Sequence, residues 1–104
     1  MKILVYRGLD TQAIPGYEKL AAYLAADDFR SAEVKKVGDN LYRARLDRSN
    51  RMLFALYRHN GERYALMLDL IHRHAYEKSR FLARGVPIDE ERIPPADADT
   101  RSVG

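Results

Sequence analysis

Apolar and polar residues alternate with a period close to two across the middle of the chain, which predicts three successive β-strands. The dipeptide Asn60-Gly61 separates the second segment from the third and is a strong sequence signal for a tight β-hairpin. A polar run of turn-forming residues at 47–50 separates the first two segments. We therefore expect an antiparallel meander. Its predicted strands lie at about 41–47, 51–58 and 63–72.

The residues on either side of the meander predict one more strand and two or three helices. Asp10 is suited to cap a helix, and Pro15 is suited to its first turn. Gly85 and Pro87 are typical of the end of a helix. The predicted elements are a strand at 2–7, a helix from 12–15 to 27, an optional short helix at 28–36 and a C-terminal helix at 74–84.

Together these elements predict an α+β fold, in which an N-terminal strand, one or two helices and a C-terminal helix pack on the meander. A length of 104 residues is that of a single domain. We place this domain at residues 1–85. Residues 86–104 include two adjacent prolines and few apolar side chains, so we expect a largely disordered tail with at most one local turn, at 89–92.

Both faces of the predicted meander carry apolar side chains. Regular alternation outward from the hairpin places Leu68 and Leu70 on the face of Arg51, and Asp69 and Ile71 on the other. One layer of helix covers only one face of a sheet. The second face is therefore covered by the other helix, by a self-contact or by a separate protein.

Composition narrows the setting in which the chain functions. It contains no cysteine, so disulfides and thiolate chemistry are excluded. The start of the chain lacks the apolar length of a signal peptide, and no segment has the 18 or so apolar residues of a membrane span. We expect a cytoplasmic protein that does not enter membranes. The formal net charge is +3 and basic residues concentrate in the middle of the chain, which favours a polyanionic partner.

The segment YRARLDRSNRMLF, the Asn-Gly hairpin and the segment IHRHAY together resemble the RelE/ParE superfamily of toxins from toxin–antitoxin modules, and most closely its YoeB-type branch. The resemblance covers about residues 1–84. It implies a RelE-like fold and a small ribosome-dependent mRNA endonuclease that uses no metal or other cofactor. It also implies two partners, mRNA on the ribosome and a cognate antitoxin protein. The alternative is a non-nucleolytic module, such as a ParE-like gyrase inhibitor or an RNA- or protein-binding accessory domain.

The resemblance carries over to this chain residue by residue. Arg43 and Arg45 match the basic positions of the family's first meander strand, and Arg51 matches an arginine at the start of the next. Arg73 and Tyr76 match an arginine and a tyrosine after the last strand. The resemblance implies that Arg51 and Arg73 stabilise the transition state. Arg43, Arg45, Lys35 and Lys36 are the expected RNA-binding residues.

The general acid and base are less clearly matched. Glu33 lies one residue closer to the meander than the family's glutamate, and Ala75 stands where YoeB-like members have histidine. Glu33, His74 and Tyr76 therefore all stay open as acid–base residues, and Ala75 favours the non-nucleolytic alternative. His72 and His74 form an H-x-H pair, but no third ligand has fitting spacing, so we predict no metal site.

Each residue also has a purely structural interpretation. Arginines that alternate with apolar residues are typical of a half-exposed strand, and a glutamate beside two lysines usually forms a weak surface ion pair. A shared basic site on the sheet depends on the register around residues 47–50, unless Arg51 acts from a twisted strand end. A two- or four-residue loop places Arg45 opposite Met52, whereas a five-residue loop or a bulge places Arg45 beside Arg51.

Overall fold

A computed structural model of the chain describes residues 1–72, 79–83 and 87–94. The fold is α+β, with a five-stranded mixed sheet and one helix of more than a single turn among these residues. The strands are β1 (Lys2–Val5), β2 (Lys35–Gly38), β3 (Leu41–Arg45), β4 (Asn50–His59) and β5 (Glu62–His72). The helices are α1 (Tyr17–Ala25) and the short α2 (Arg80–Ala83), and 3-10 turns lie at Thr11–Ala13 and Glu90–Arg92.

The predicted meander is confirmed as β3, β4 and β5, which pair antiparallel in sequence order. Asn60 and Gly61 have φ angles of 51° and 78°. A two-residue turn with positive φ at both positions matches the right-handed twist of the strands that it joins. The predicted N-terminal strand is also present as β1. It pairs parallel with β5 and forms one edge of the sheet, and β2 forms the opposite edge.

The predicted first helix is divided into two pieces. Asp10 caps the 3-10 turn by accepting a hydrogen bond from the backbone N–H of Gln12. The chain then bends at Gly16, whose φ is 78°, and α1 begins only at Tyr17. A Cβ atom at Gly16 would lie 2.6 Å from the carbonyl oxygen of Leu46, so this close approach of α1 to the end of β3 needs glycine.

The optional helix at 28–36 is absent, and the sheet has a fifth strand instead. Asp28 does cap a turn, because its side chain accepts a hydrogen bond from the N–H of Ser31. The chain then enters a left-handed conformation at Glu33, where φ is 51°, which ends any helical run. Beyond Glu33 the chain pairs with β3 as β2. Pairing with a strand that follows later in the sequence overrides the weak local helix preference.

A β-bulge changes the side-chain alternation near the end of β5. Leu53 pairs with Asp69 and Phe54 pairs with Met67, so Leu68 is an extra residue in β5. Leu70 consequently packs on the α1 side of the sheet, and Ile71 is buried on the other. The predicted faces are therefore wrong for Asp69, Leu70 and Ile71, because the prediction assumed unbroken alternation.

Each face of the sheet has its own apolar cluster. The first face packs against α1 through Leu20 and Leu24, which are almost fully buried. The second face is covered by Phe81, Leu82, Ile88 and Ile93 from the C-terminal part of the chain. Phe81 and Leu82 belong to α2, so of the three ways to cover this face that the sequence left open, the other helix is the one observed, together with Ile88 and Ile93.

Residues 87–94, which we expected within the disordered tail, are instead held against the sheet. The phenol oxygen of Tyr6 accepts a hydrogen bond from the N–H of Asp89, and the Arg92 guanidinium lies 5.0 Å from the centre of the Tyr6 ring. The predicted turn at 89–92 is present. The predicted C-terminal helix at 74–84 is not evident. Among its described residues the four of α2 are helical and Ser79 is not, whereas 74–78 and 84 lie outside the described residues, as do 95–104. No helix in the described ranges is long and apolar enough to cross a membrane.

Candidate nucleic-acid interface

Four basic residues from three neighbouring strands share one face at one end of the sheet. Lys35 pairs with Arg43 between β2 and β3, and Arg45 pairs directly with Arg51 between β3 and β4. Residues that pair across antiparallel strands lie on the same face, as do residues two apart along one strand. We call these four residues the basic row. The register question is settled because five residues, 46–50, lie between Arg45 and Arg51, which pair directly.

Arg51 is fixed by the loop that precedes it. Its Nη1 atom donates to the backbone carbonyls of Asp47 and Asn50, at 2.6 and 3.0 Å. The Asp47 carboxylate in turn accepts bonds from the N–H groups of Ser49 and Asn50, both at 2.8 Å, and from the Asn50 side chain at 3.0 Å. The Asn50 side chain is the largest cause that lowers the pKa of Asp47 below its ordinary value. The guanidinium therefore has a restricted position before any ligand binds.

Arg45 meets one of the predicted acid–base residues. Its Nη1 atom lies 3.1 Å from Oε2 of Glu33, and both side chains are about half exposed, at 46% and 55%. Exposed pairs of this kind contribute only about 0.2–1 kcal/mol to stability. Glu33 also adopts a left-handed backbone, which costs a non-glycine residue about 1–2 kcal/mol. The ion pair therefore does not explain on stability grounds why a glutamate occupies this position.

The remaining predicted site residues are elsewhere or outside the described residues. Lys36 pairs with Tyr42 and therefore lies on the α1 face, away from the basic row. Arg73, His74 and Tyr76 lie outside the described ranges. The last described residue of β5, His72, pairs with Asn50 beside Arg51.

A polar cleft of about 310 Å³ lies next to the basic row, between α1, the turn at 31–33 and the end of β3. We call it the α1 cleft. Glu33 and Arg45 form part of its wall, together with Lys19 and Tyr23 of α1. Lys19 and Tyr23 were not among the residues predicted for the site. Their i, i+4 spacing places them on one side of the helix, but no local signal shows that this side reaches β3.

Paired arginines are not unique to the basic row. Arg58 and Arg63 also pair directly, near the hairpin end of β4 and β5, and they lie on the α1 face. Both are exposed. What distinguishes the basic row is therefore its four cations, its fixed Arg51 and its nearby carboxylate. The second arginine pair offers a matched control for mutagenesis.

Within residues 1–72, 79–83 and 87–94 no cluster of three or more histidine, cysteine or acidic side chains is arranged to hold a metal ion. Comparisons of the chain with known protein families, with curated proteins and with solved structures find no match.

Proposed function

We propose that this chain is a RelE-like toxin that cleaves mRNA on the ribosome and that the basic row binds the RNA backbone. The observation that supports this most directly is the pairing of Arg45 with Arg51 beside Arg43 and Lys35. Like charges placed directly opposite each other on neighbouring strands destabilise a sheet. A bound phosphodiester relieves that repulsion, because each phosphate carries a negative charge that guanidinium groups bind well.

The proposed chemistry is an attack of the ribose 2′-hydroxyl on its neighbouring phosphate, without a metal. Negative charge grows on the non-bridging oxygens in the transition state, and fixed donors stabilise that charge without reorganising. The carbonyls of Asp47 and Asn50 occupy Nη1 of Arg51, and the other N–H groups of the same planar guanidinium are assigned to the phosphate. Arg73 is the second proposed guanidinium. Glu33, His74 and Tyr76 are the proposed acid–base residues.

The proposed cognate antitoxin neutralises the toxin by placing acidic groups on the basic row. The sequence also left open that a separate protein covers the apolar second face. That face is covered by the chain's own Phe81, Leu82, Ile88 and Ile93, so the proposed contact is confined to the basic row and its rim.

The second proposed function is a non-nucleolytic module that inhibits gyrase or binds RNA or protein. Two contacts favour it, because Arg51 holds its own loop and Arg45 pairs with Glu33, and both are structural uses of a guanidinium. Ala75 in the family's histidine position favours it as well.

The two functions are separated by primer extension on mRNA from a translation reaction that contains the purified chain. We expect cuts within translated messages, and we expect Arg45→Ala and Arg73→Ala to reduce them by at least about tenfold. Arg58→Ala is the matched control, since it also removes one member of a paired arginine couple, and it should cut like wild type.

Arg51 is tested by a conservative substitution, because Arg51→Ala also removes the hydrogen bonds to the carbonyls of Asp47 and Asn50. Arg51→Lys keeps the charge but loses the planar fork, so cleavage should fall while the melting temperature stays near that of wild type. Intact messages with the wild-type chain would refute the nuclease. Gyrase-dependent DNA breaks would then select the gyrase inhibitor, and RNA binding without cleavage would select the accessory module.

A further inference from the structure

The α1 cleft shares a wall with the basic row. Arg45 belongs to the row through its pairing with Arg51, and its Nη1 atom contacts Glu33 in the cleft. The row continues on the second face of the sheet, beside Leu41 and Leu53, whereas the cleft lies on the α1 side. An RNA strand therefore reaches the cleft at Arg45, where its phosphate and the adjoining nucleoside pass the end of β3. The volume of the cleft, about 310 Å³, is at the lower end of the range for ligand pockets. A cleft of this size suits one nucleobase.

The width of the cleft is set by the backbone. Gly16 at the start of α1 approaches Leu46 so closely that a Cβ atom would lie 2.6 Å from the Leu46 carbonyl oxygen. This approach fixes where α1 begins relative to the end of β3. The two walls of the cleft are therefore held by packing and do not depend on a ligand.

One wall of the cleft contains an aromatic ring with a cation above it. Tyr23 is half-buried, and the Lys19 ammonium lies 5.9 Å from the centre of its ring. RNA-binding proteins commonly stack unpaired bases on aromatic side chains. Lys19 is exposed and flexible, so a base can displace its ammonium from the ring and leave it free to meet a phosphate.

The opposite wall contributes a carboxylate. An ionised carboxylate only accepts hydrogen bonds, and it has room for several donors at once, so Glu33 can keep its contact with Arg45 while accepting from a base. Guanine has two adjacent donors, N1–H and the N2 amino group, on its Watson–Crick edge. Adenine and cytosine place an acceptor nitrogen beside their amino group, and uracil places carbonyls on both sides of its N–H. Of the four bases, guanine therefore fits a carboxylate best.

We propose that the α1 cleft binds a guanine base of the RNA whose backbone lies on the basic row, with Glu33 accepting from its Watson–Crick edge and Tyr23 stacking on its ring. This inference rests on the proposed function. It gives a reason for a glutamate at a position with a left-handed backbone in the wall of the cleft, where the residue carries a conformational cost. It also gives Glu33 a role in binding, which is separate from proton transfer.

The test uses short 2′-O-methyl oligouridines that carry one central guanosine, adenosine, cytidine or uridine. The 2′-O-methyl group blocks cleavage, so only binding contributes to the fluorescence anisotropy of a labelled oligonucleotide. We expect the guanosine oligonucleotide to bind about tenfold more tightly than the other three, since only guanine makes a bidentate contact with the carboxylate. Glu33→Gln should remove this preference, and Tyr23→Leu should weaken binding of the guanosine oligonucleotide.

Glu62→Gln is the matched control, because Glu62 is also an exposed glutamate in an ion pair, with Lys2, but lies at the hairpin end of β5. It should keep the guanine preference. Equal affinity for all four oligonucleotides, or a preference that survives Glu33→Gln, overturns the inference even if Arg45→Ala weakens binding. Absence of any binding also overturns it, while the primer-extension assay judges the proposed function separately.

Discussion

The C-terminal segment is part of the folded domain, and Phe81 gives the sharpest test of this. Its side chain is 4% exposed and lies in the cluster on the second face of the sheet. Its ring meets the Tyr6 ring edge to face, with 5.8 Å between centroids and an angle of 80°. Truncating a buried phenylalanine to alanine costs about 3–5 kcal/mol, because both transfer free energy and packing are lost.

Phe81→Ala should therefore remove a large fraction of the stability of this domain, since single domains unfold with only about 5–15 kcal/mol. For a domain of this size the expected fall in melting temperature is at least about 12 °C. Urea titration followed by circular dichroism should show a lower midpoint with an unchanged slope, as long as unfolding is two-state. Phe29→Ala is the matched control, because Phe29 is 39% exposed and should cost less than about 1 kcal/mol.

Similar free energies of unfolding for the two variants would refute this reasoning. That result would mean that residues 79–83 do not cover the second face in solution. The disordered tail that we expected at 86–104 would then begin earlier in the chain.

Two further predictions concern the loop and cleft region. Gly16→Ala should destabilise the protein by about 1–3 kcal/mol more than Gly61→Ala in thermal melts. Both glycines have a φ of 78°, but only at Gly16 would the new Cβ meet a backbone carbonyl. Equal losses of stability would contradict the close approach of Gly16 to Leu46. Asp47 has a pKa below its ordinary value of 3.8, so its bonds stabilise the fold above about pH 4 and are lost as the pH falls through the lower, folded-state pKa. Asp47→Asn should therefore be less stable than wild type at neutral pH, with a difference that shrinks in acid titrations below about pH 4, and a constant difference would argue against the pKa shift.

Local sequence signals were sufficient for the meander and for part of the candidate site. The Asn60-Gly61 turn and the alternation of apolar residues depend on neighbours along the chain, and they predict β3, β4 and β5 to within about two residues. They also show that the length of the loop between β3 and β4 decides whether Arg45 lies beside Arg51. With five residues between them, Arg45 and Arg51 pair directly across β3 and β4.

The α+β class, the meander and the basic character of its strands are thus predictable from the sequence, because they follow from residue type and short spacing. The tertiary structure alone decided the bulge at Leu68, the strand β2 and the docking of residues 87–94 on the second face. It also decided that Lys19 and Tyr23 lie beside Glu33. Each of these depends on contacts between segments that are distant along the chain, and the free energy of such contacts is not encoded in any single stretch.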